Sequence, residues 1–155
     1  MKREDIFEDI SGEIDDILEK GSDTDEVLSE VARILKERVP HYDWVGFYIA
    51  DPEGKEELHL GPFAGEPTEH ERIPFGKGIC GRAASELDTI VIQDVSEQDN
   101  YLSCSPFVRS EVVVPIISGG EFVAELDIDS HDLGPFSDLD RSFLEDICSR
   151  LSSLF

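Results

Sequence analysis

The sequence predicts an α+β fold in which helices at the two ends of the chain pack on one face of a mostly antiparallel sheet of about six strands. Apolar residues recur at helical spacing near both termini, whereas short alternating or continuous apolar runs fill the middle. Short glycine-containing turns join neighbouring runs, as in antiparallel hairpins. At 155 residues the chain is most simply one domain. We divide it into N-terminal helices over 1–40, a sheet with pocket loops over 41–136 and a C-terminal helix over 137–155.

Two amphipathic helices are expected before the sheet. The first covers 4–19 and is followed by Gly21, where a C-terminal helix cap belongs. The second covers 24–38 and is stopped by Pro40. The apolar stripes consist of Ile6, Ile10, Ile14, Ile17 and Leu18 in the first helix and of Val27, Leu28, Val31 and Leu35 in the second.

The middle of the chain alternates strands with polar loops and one short helix. Ser137 is the predicted N-cap of the last helix, and Asp140, three positions later, completes a capping-box signature. This helix runs to the C-terminus on an apolar face that includes Phe143 and Leu144. The predicted strands are 43–50, 57–63, 89–92, 111–117 and 121–128, the short helix is 79–86, and the two longest loops are 64–71 and 94–109.

The charge balance is strongly acidic, with 36 Asp and Glu against 13 Lys and Arg and a net charge of −23. Such a surface repels nucleic acid and anionic membranes, so we expect neither as a partner. No apolar run approaches the roughly 18 residues that span a bilayer, and the acidic N-terminus has no signal-peptide core, so the expected location is the cytoplasm. Two explanations of the acidity stay open: adaptation to a salt-rich cytoplasm, or a merely acidic, soluble protein.

The three cysteines form neither a disulfide framework nor a zinc-binding pattern, so no metal is expected. Cys148 falls on the apolar face of the last helix and is predicted to belong to the core. Cys104 lies in a serine-rich loop, where a thiol is more exposed and more reactive. Cys80 opens the short helix, and two interpretations stay open: a thiol whose pKa is lowered by the helix N-terminus and by Arg82, or a small residue needed for packing.

Acidic residues interrupt the apolar strands in the second half of the predicted sheet. Alternation puts Glu125, Asp127 and Asp129 on one face of their strand. Glu111, at the start of the preceding strand, is expected nearby because a tight turn joins the two strands. These carboxylates predict either a pocket for an ammonium group or a solvated acidic face, which is common in so acidic a protein. Val123 is predicted to share the acidic face, and the opposite, core face is predicted to carry Phe122, Ala124, Leu126 and Ile128.

Trp44 and Tyr48 lie on one face of the first predicted strand, with Gly46 between them. The glycine leaves a gap that a small ligand could fill, and an aromatic core strand is an equal alternative. The histidines show no metal-ligand spacing and are expected on the surface. They are His41, His59, His70 and His131.

Five segments, in this order, resemble one family, the GAF-domain free methionine-(R)-sulfoxide reductases. They lie between residues 44 and 130, and Cys104 falls between the third and the fourth of them. The resemblance implies a single GAF-like domain. The segments are Trp44-Val45-Gly46-Phe47-Tyr48, Leu60-Gly61-Pro62-Phe63, Ile73-Pro74-Phe75-Gly76-Lys77-Gly78-Ile79-Cys80-Gly81, Ser110-Glu111-Val112-Val113-Val114-Pro115 and Leu126-Asp127-Ile128-Asp129-Ser130.

The resemblance implies a role for each candidate site residue. Cys104 matches the cysteine that attacks the sulfoxide sulfur, and Cys80 matches the cysteine that resolves the resulting sulfenic acid through a disulfide. Three acids match the carboxylates that bind the substrate amine and help to protonate the sulfoxide oxygen, and two aromatic residues match the wall around the methyl-sulfur end. The acids are Glu111, Asp127 and Asp129, and the aromatic residues are Trp44 and Tyr48.

The implied reaction uses no metal or organic cofactor. An external dithiol, expected to be thioredoxin, reduces the disulfide, and a homodimer is expected from the resemblance alone. The chain departs from the family pattern because it lacks a third cysteine before Ile73 and carries Glu125 at a usually apolar position. Two alternatives stay open: a non-catalytic GAF module that binds a small ligand, and a redox sensor that switches through Cys80 and Cys104.

Overall fold

The computed structural model describes residues 2–99, 101 and 106–155. Its elements follow the predicted order, with one additional strand of three residues, β3, that is too short to show a period in the sequence. The helices are α1 (Arg3–Glu19), α2 (Thr24–Arg38), α3 (Gly78–Glu86) and α4 (Asp138–Leu151), and single 3₁₀ turns lie at Val95–Glu97 and Ser152–Leu154. The strands are β1 (Trp44–Ala50), β2 (Glu57–Ala64), β3 (Arg72–Pro74), β4 (Ile90–Ile92), β5 (Ser110–Ser118) and β6 (Glu121–Ser130).

The six strands form one sheet in the order β3-β2-β1-β6-β5-β4, and every neighbouring pair is antiparallel. Helices α1, α2 and α4 pack on one face, where Ile10, Leu28 and Leu144 join Phe47 and Leu126 in the larger apolar core. Helix α3 lies on the opposite face with a smaller apolar cluster. The predicted α+β class, with the terminal helices on one face, is therefore confirmed. Across the described residues, no helix combines the length and apolarity needed to cross a membrane.

Side-chain caps fix where α2 and α4 begin. The carboxylate of Asp23 accepts a hydrogen bond from the backbone N–H of Glu26, 3.0 Å away. At α4, Ser137 and Asp140 form the predicted capping box, in which each side chain bonds the backbone of the other residue. The periodic apolar pattern and the cap therefore agree on the start of each helix.

A β-bulge between Ile116 and Ile117 resets the alternation at the start of β6. Ile116 pairs with Ala124, but Ile117 pairs with Phe122, so one residue of β6 is extra. As a result, Val123 packs with the helices, whereas the Phe122 ring packs edge-on against Phe75 on the α3 face, with the ring centroids 5.7 Å apart. The prediction that Phe122 shares a face with Ala124, and Val123 with the acids, is wrong for this reason. Beyond the bulge, the predicted alternation holds.

Asp140 is the centre of a buried polar network that ties both ends of the chain to the sheet. Its carboxylate lies 2.6 Å from Nε2 of His41 and accepts hydrogen bonds from the Tyr42 hydroxyl at 2.8 Å and from Arg3 at 2.7 Å. His41 is only 8% exposed, so the prediction that it lies on the surface is wrong. Burial alone would raise the pKa of Asp140, but hydrogen bonds from His41, Ser137 and Tyr42 outweigh burial and hold the pKa well below its usual range.

We expect Asp140→Asn to lower the free energy of unfolding by about 2 kcal/mol near neutral pH, because a charged acceptor shared by several donors is lost. Since the folded-state pKa of Asp140 is lowered, its stabilisation is present above the usual Asp pKa and is lost as the pH falls below that value. The difference between the two proteins should therefore shrink in acid. Urea unfolding across pH measures both effects. Asp138→Asn, an exposed change in the same helical turn, is the control and should cost far less.

Candidate functional site

Four acidic side chains from β5 and β6 meet on the face of the sheet that α3 covers. The register pairs Glu111 with Asp129 and Val113 with Asp127, so acids from two strands lie side by side. All four side chains are buried, with at most 4% of their surface exposed. The interpretation as a solvated acidic face is therefore wrong. We call this group the acidic cluster, and its members are Glu111, Glu125, Asp127 and Asp129.

The turn before α3 fixes the position of Cys80. Gly78 has a φ of 67°, in the left-handed region that favours glycine. A Cβ on Gly81 would lie 2.5 Å from the carbonyl oxygen of Pro74, so only glycine lets α3 pack this closely on the turn. Cys80 is thereby held on the buried side of α3, where it is 5% exposed. Its Sγ lies 3.8 Å from Oε2 of Glu111, in contact with the acidic cluster.

The surroundings of Cys80 favour the thiol over the thiolate. Burial raises the pKa of Cys80 well above its usual value, and the negative charges of Asp127, Glu125 and Glu111 raise it further. The predicted lowering of this pKa by the helix N-terminus and Arg82 is therefore wrong. Arg82 instead bonds Glu86 on the outer side of α3, at 2.8 Å. A positive charge placed among the acids would reverse part of the shift.

The same burial favours the protonated form of three acids of the cluster. Burial, followed by the charges of Asp127 and Asp129, raises the pKa of Glu111 well above its usual value. Burial and the charge of Asp127 do the same for Glu125, and burial raises the pKa of Asp127 against the effect of hydrogen bonds. Closely spaced buried carboxylates cannot all ionise without a cation beside them. The pocket can therefore both donate a proton and stabilise a cation.

Trp44 and Phe63 cover the glycine between the two aromatic residues of β1. Their rings stack with centroids 5.5 Å apart, and a Cβ on Gly46 would lie 2.3 Å from the indole. The predicted gap above Gly46 is therefore wrong, because the Trp44 ring fills it. The glycine is needed for that close approach and leaves no room for a ligand there.

Hydrogen bonds from both aromatic residues hold the loop at 65–71. The indole N–H of Trp44 donates to the carbonyl oxygen of Glu66, and the Tyr48 hydroxyl donates to the carbonyl oxygen of His70, both at 2.9 Å. These bonds place the loop along one edge of the candidate site. The polar tips of the two rings therefore position a loop, while their faces remain part of the apolar packing.

A small cavity brings most of the predicted site residues together. It has a volume of about 10 Å³, enough for one water molecule. Five predicted residues line it: Tyr48, Cys80, Glu111, Asp127 and Asp129. Trp44 instead lines a separate cavity of about 380 Å³, together with Glu66 and Phe107. Cys104 lies outside the described residues.

Two polar residues of this pocket were not predicted. His70 and Lys77 line it, although His70 was expected on the surface and Lys77 was assigned no role. The available signal for Lys77 was its place directly before α3. Glu125, which the alternation on β6 placed with the other acids, is fully buried but does not line the cavity.

We expect Glu125→Gln to raise the free energy of unfolding by at least about 1 kcal/mol at about pH 8. Burial raises the folded-state pKa of Glu125. The protonated side chain therefore contributes its full stability below the usual Glu pKa, and this contribution is lost as the pH rises through the folded-state pKa. The uncharged amide of Gln has no charge to bury, so the variant does not lose this stability at high pH. The difference in unfolding free energy between variant and wild type should therefore shrink near pH 5. Urea unfolding at both pH values tests this. The exposed Glu121→Gln at the start of β6 is the matched control, and an equal gain there would point to overall charge instead.

Comparison with known proteins places this chain in a family. Residues 23–154 match the model of the GAF domain. GAF domain-containing protein A of Dictyostelium discoideum is 33% identical over 151 residues, which are 97% of this chain and 93% of that protein. The free methionine-R-sulfoxide reductase of Saccharomyces cerevisiae is 38% identical over 111 residues, which are 71% of this chain and 61% of that protein.

A solved structure gives the same placement. The free methionine-R-sulfoxide reductase from Neisseria meningitidis, in complex with its substrate, is 34% identical and superposes with a TM-score of 0.94. The match covers 100% of this chain and 91% of the other. The chain therefore belongs to the GAF domain family, in the group of the GAF-domain free methionine-R-sulfoxide reductases.

Proposed function

We propose that this chain reduces free methionine-(R)-sulfoxide to methionine at the pocket formed by the acidic cluster and Cys80. The observation that carries the proposal is the burial of four carboxylates beside a thiol, at a position that is costly unless a cation is bound there. The ammonium group of a free amino acid supplies such a cation. The related enzymes from yeast and Neisseria, which are named for this substrate, support the choice.

The acidic cluster serves two tasks in the proposed reaction. Ionised carboxylates pair with the substrate ammonium, with Asp127 and Asp129 assigned to this role. Glu111, whose pKa is raised by burial and by neighbouring charges, holds its proton more strongly than an ordinary Glu and can pass it to the sulfoxide oxygen. Lys77 and the first turn of α3 line the same pocket, so positive potential is available for the substrate carboxylate.

The two thiols act in sequence. The Cys104 thiolate attacks the sulfoxide sulfur, the oxygen is protonated, and methionine leaves while Cys104 retains the oxygen as a sulfenic acid. Cys80 then attacks the sulfenic sulfur, water leaves, and a Cys80–Cys104 disulfide forms. An external dithiol such as thioredoxin reduces this disulfide by thiol–disulfide exchange, so that both protein thiols are restored and the external dithiol is oxidised. The sulfoxide is reduced by two electrons, and these electrons come from the dithiol.

The pocket must widen before an amino acid can enter. Its volume of about 10 Å³ holds one water molecule, which is far less than methionine sulfoxide occupies. We assign this widening to the loop at 65–71, which forms one wall of the pocket. The hydrogen bonds that hold it to β1, from Trp44 and Tyr48, would have to break or shift when the loop moves. Methionine sulfoxide would then lie between the acidic cluster and Tyr48.

Substrate choice tests the role of the acids. N-acetylation removes the ammonium charge, so we expect kcat/KM for N-acetylmethionine-(R)-sulfoxide to be at least tenfold below that for the free amino acid, a difference of about 1.4 kcal/mol or more. Asp127→Asn should cause a loss of similar size with the free substrate and a much smaller one with the acetylated substrate. Methionine formation, followed by chromatography, measures both. Comparable turnover of the two substrates by the wild type would contradict the ammonium pocket.

Cysteine variants test the order of the thiols. Cys104→Ser should form no methionine, whereas Cys80→Ser should form about one equivalent and accumulate a sulfenic acid on Cys104, because the attack precedes resolution. Mass spectrometry after a single turnover identifies the oxidised cysteine. Cys148→Ser is the control, since Cys148 is 2% exposed on the helix face of the sheet and should be dispensable. Methionine formed by Cys104→Ser, with oxidation on Cys80, would reverse the assignment.

A further inference from the structure

We propose that the pocket is also a site for one thiophilic divalent cation, zinc being the physiological example, held by Cys80, Glu111 and Asp127. One donor atom from each of these residues lies within 4.8 Å of the other two, and all three residues are buried. The cation would compete with the amino acid for the same carboxylates. This competition rests on the proposed function, whereas the metal site itself does not.

The spacing of the donors is close to that of a zinc site. Zinc binds sulfur at about 2.3 Å and carboxylate oxygen at about 2.1 Å, so a tetrahedral ion holds these two atoms roughly 3.6 Å apart. Sγ of Cys80 and Oε2 of Glu111 are 3.8 Å apart. Asp127 lies on β6, two residues from the position that faces Glu111 across the ladder. Side-chain rotations that move the donor atoms by a few tenths of an ångström to about 1 Å would bring all three to bonding distance from one ion.

Buried oxygen atoms point to a missing positive partner. Among the described residues, Oε1 of Glu111 and Oδ1 of Asp127 have no hydrogen-bond partner, and the same holds for both carboxylate oxygens of Glu125. Glu111 and Asp127 are each 4% exposed, so bulk water reaches little of either carboxylate. A dication would offset this concentration of negative charge far better than a single proton.

The donor set selects the class of ion. A thiolate beside two carboxylates suits zinc or cadmium, whereas magnesium and calcium prefer six or more oxygen ligands. A cavity of about 10 Å³ accepts a bare ion without the widening that an amino acid requires. Binding releases the thiol proton to solvent and leaves a fourth coordination position for water. The spacing of residues along the chain does not reveal this site, because its ligands come from α3, β5 and β6, which are far apart in the sequence.

Bound zinc would block two residues that the proposed reaction needs. Cys80 bound to the ion cannot attack the sulfenic acid, and Asp127 bound to the ion cannot pair with the substrate ammonium. We therefore expect zinc to raise the apparent KM for free methionine sulfoxide, and a chelator to reverse the effect. Zinc in excess would hold the enzyme inactive with its thiol protected.

Direct binding is the decisive experiment. The intact, reduced protein is titrated with Zn²⁺ by calorimetry and with Cd²⁺ by ultraviolet absorbance, which detects cadmium–thiolate bonds, in a phosphine reductant that is not itself a thiol. We expect one ion per chain and at least tenfold weaker binding in Cys80→Ser and in Asp127→Asn. Cys148→Ser should bind like the wild type. Unchanged binding in Cys80→Ser, or equally tight binding of Mg²⁺, would overturn the site.

Two further measurements test the metal site without relying on enzyme activity or on the assumption that every variant folds. Circular dichroism establishes that each variant is folded, and Glu111→Gln replaces any variant that is not. Free methionine carries the same ammonium group but has no oxygen to transfer, so it should displace Cd²⁺ from the wild type and abolish the thiolate band without oxidising Cys80. A Cys80-dependent ion that methionine does not displace would uphold the metal site and count against the proposed ammonium pocket. Absence of any thiolate band in the wild type would refute the metal site alone.

Discussion

The burial of like charges between β5, β6 and α3 is the constraint on which the rest of the site depends. Glu111 and Asp127 come from neighbouring strands, and antiparallel register leaves them no way to separate. Covering them with α3 removes the water that would normally screen them. The pocket can respond by holding protons, and the directions of the pKa shifts show this response. A bound cation would also relieve the repulsion between the carboxylates, and this is the physical basis of the two cations proposed for this pocket.

A second buried acid, on the helix-covered face of the sheet, has its pKa shifted in the opposite direction. Asp140 accepts bonds from His41, Tyr42 and Ser137, and its pKa is held low. At Glu125 burial and the charge of Asp127 outweigh the lowering effect of the Cys80 thiol, and the pKa is raised. The first acid stabilises the fold as an ionised acceptor near neutral pH, whereas the second costs stability there. Environment, and not residue type, separates the structural acid from the site acid.

Local sequence patterns predicted most of the fold because they act over a few residues. The capping box at Ser137 and the alternation of Asp127 with Asp129 involve only near neighbours in the chain, and both were readable. The face of Phe122 was not predictable, since the bulge depends on how β5 and β6 align. The burial of His41 was also missed, because its partner Asp140 lies 99 positions away.

The sequence indicated that Glu111, Asp127 and Asp129 would lie together, but it did not indicate the electrostatics around Cys80. A helix N-terminus lowers a thiol pKa when the thiol is partly exposed, and this rule suggested an activated Cys80. The rule failed because desolvation and the charges of Asp127 and Glu125 are larger effects, and both arise only when α3 closes on the sheet. Gly46 was misread in the same way. An absent side chain signals that something approaches closely, and here it is the Trp44 ring instead of a ligand.

A raised pKa suits the role proposed for Cys80. A resolving thiol is needed only after the first chemical step, and a buried, protonated thiol resists oxidation until then. In the proposed reaction, the ammonium of a bound amino acid would add positive charge among the acids that raise the pKa of Cys80, and this charge would shift the thiol toward its reactive form for as long as substrate or product stays bound. The same cation would then relieve the repulsion between the carboxylates and lower the pKa of the thiol beside them.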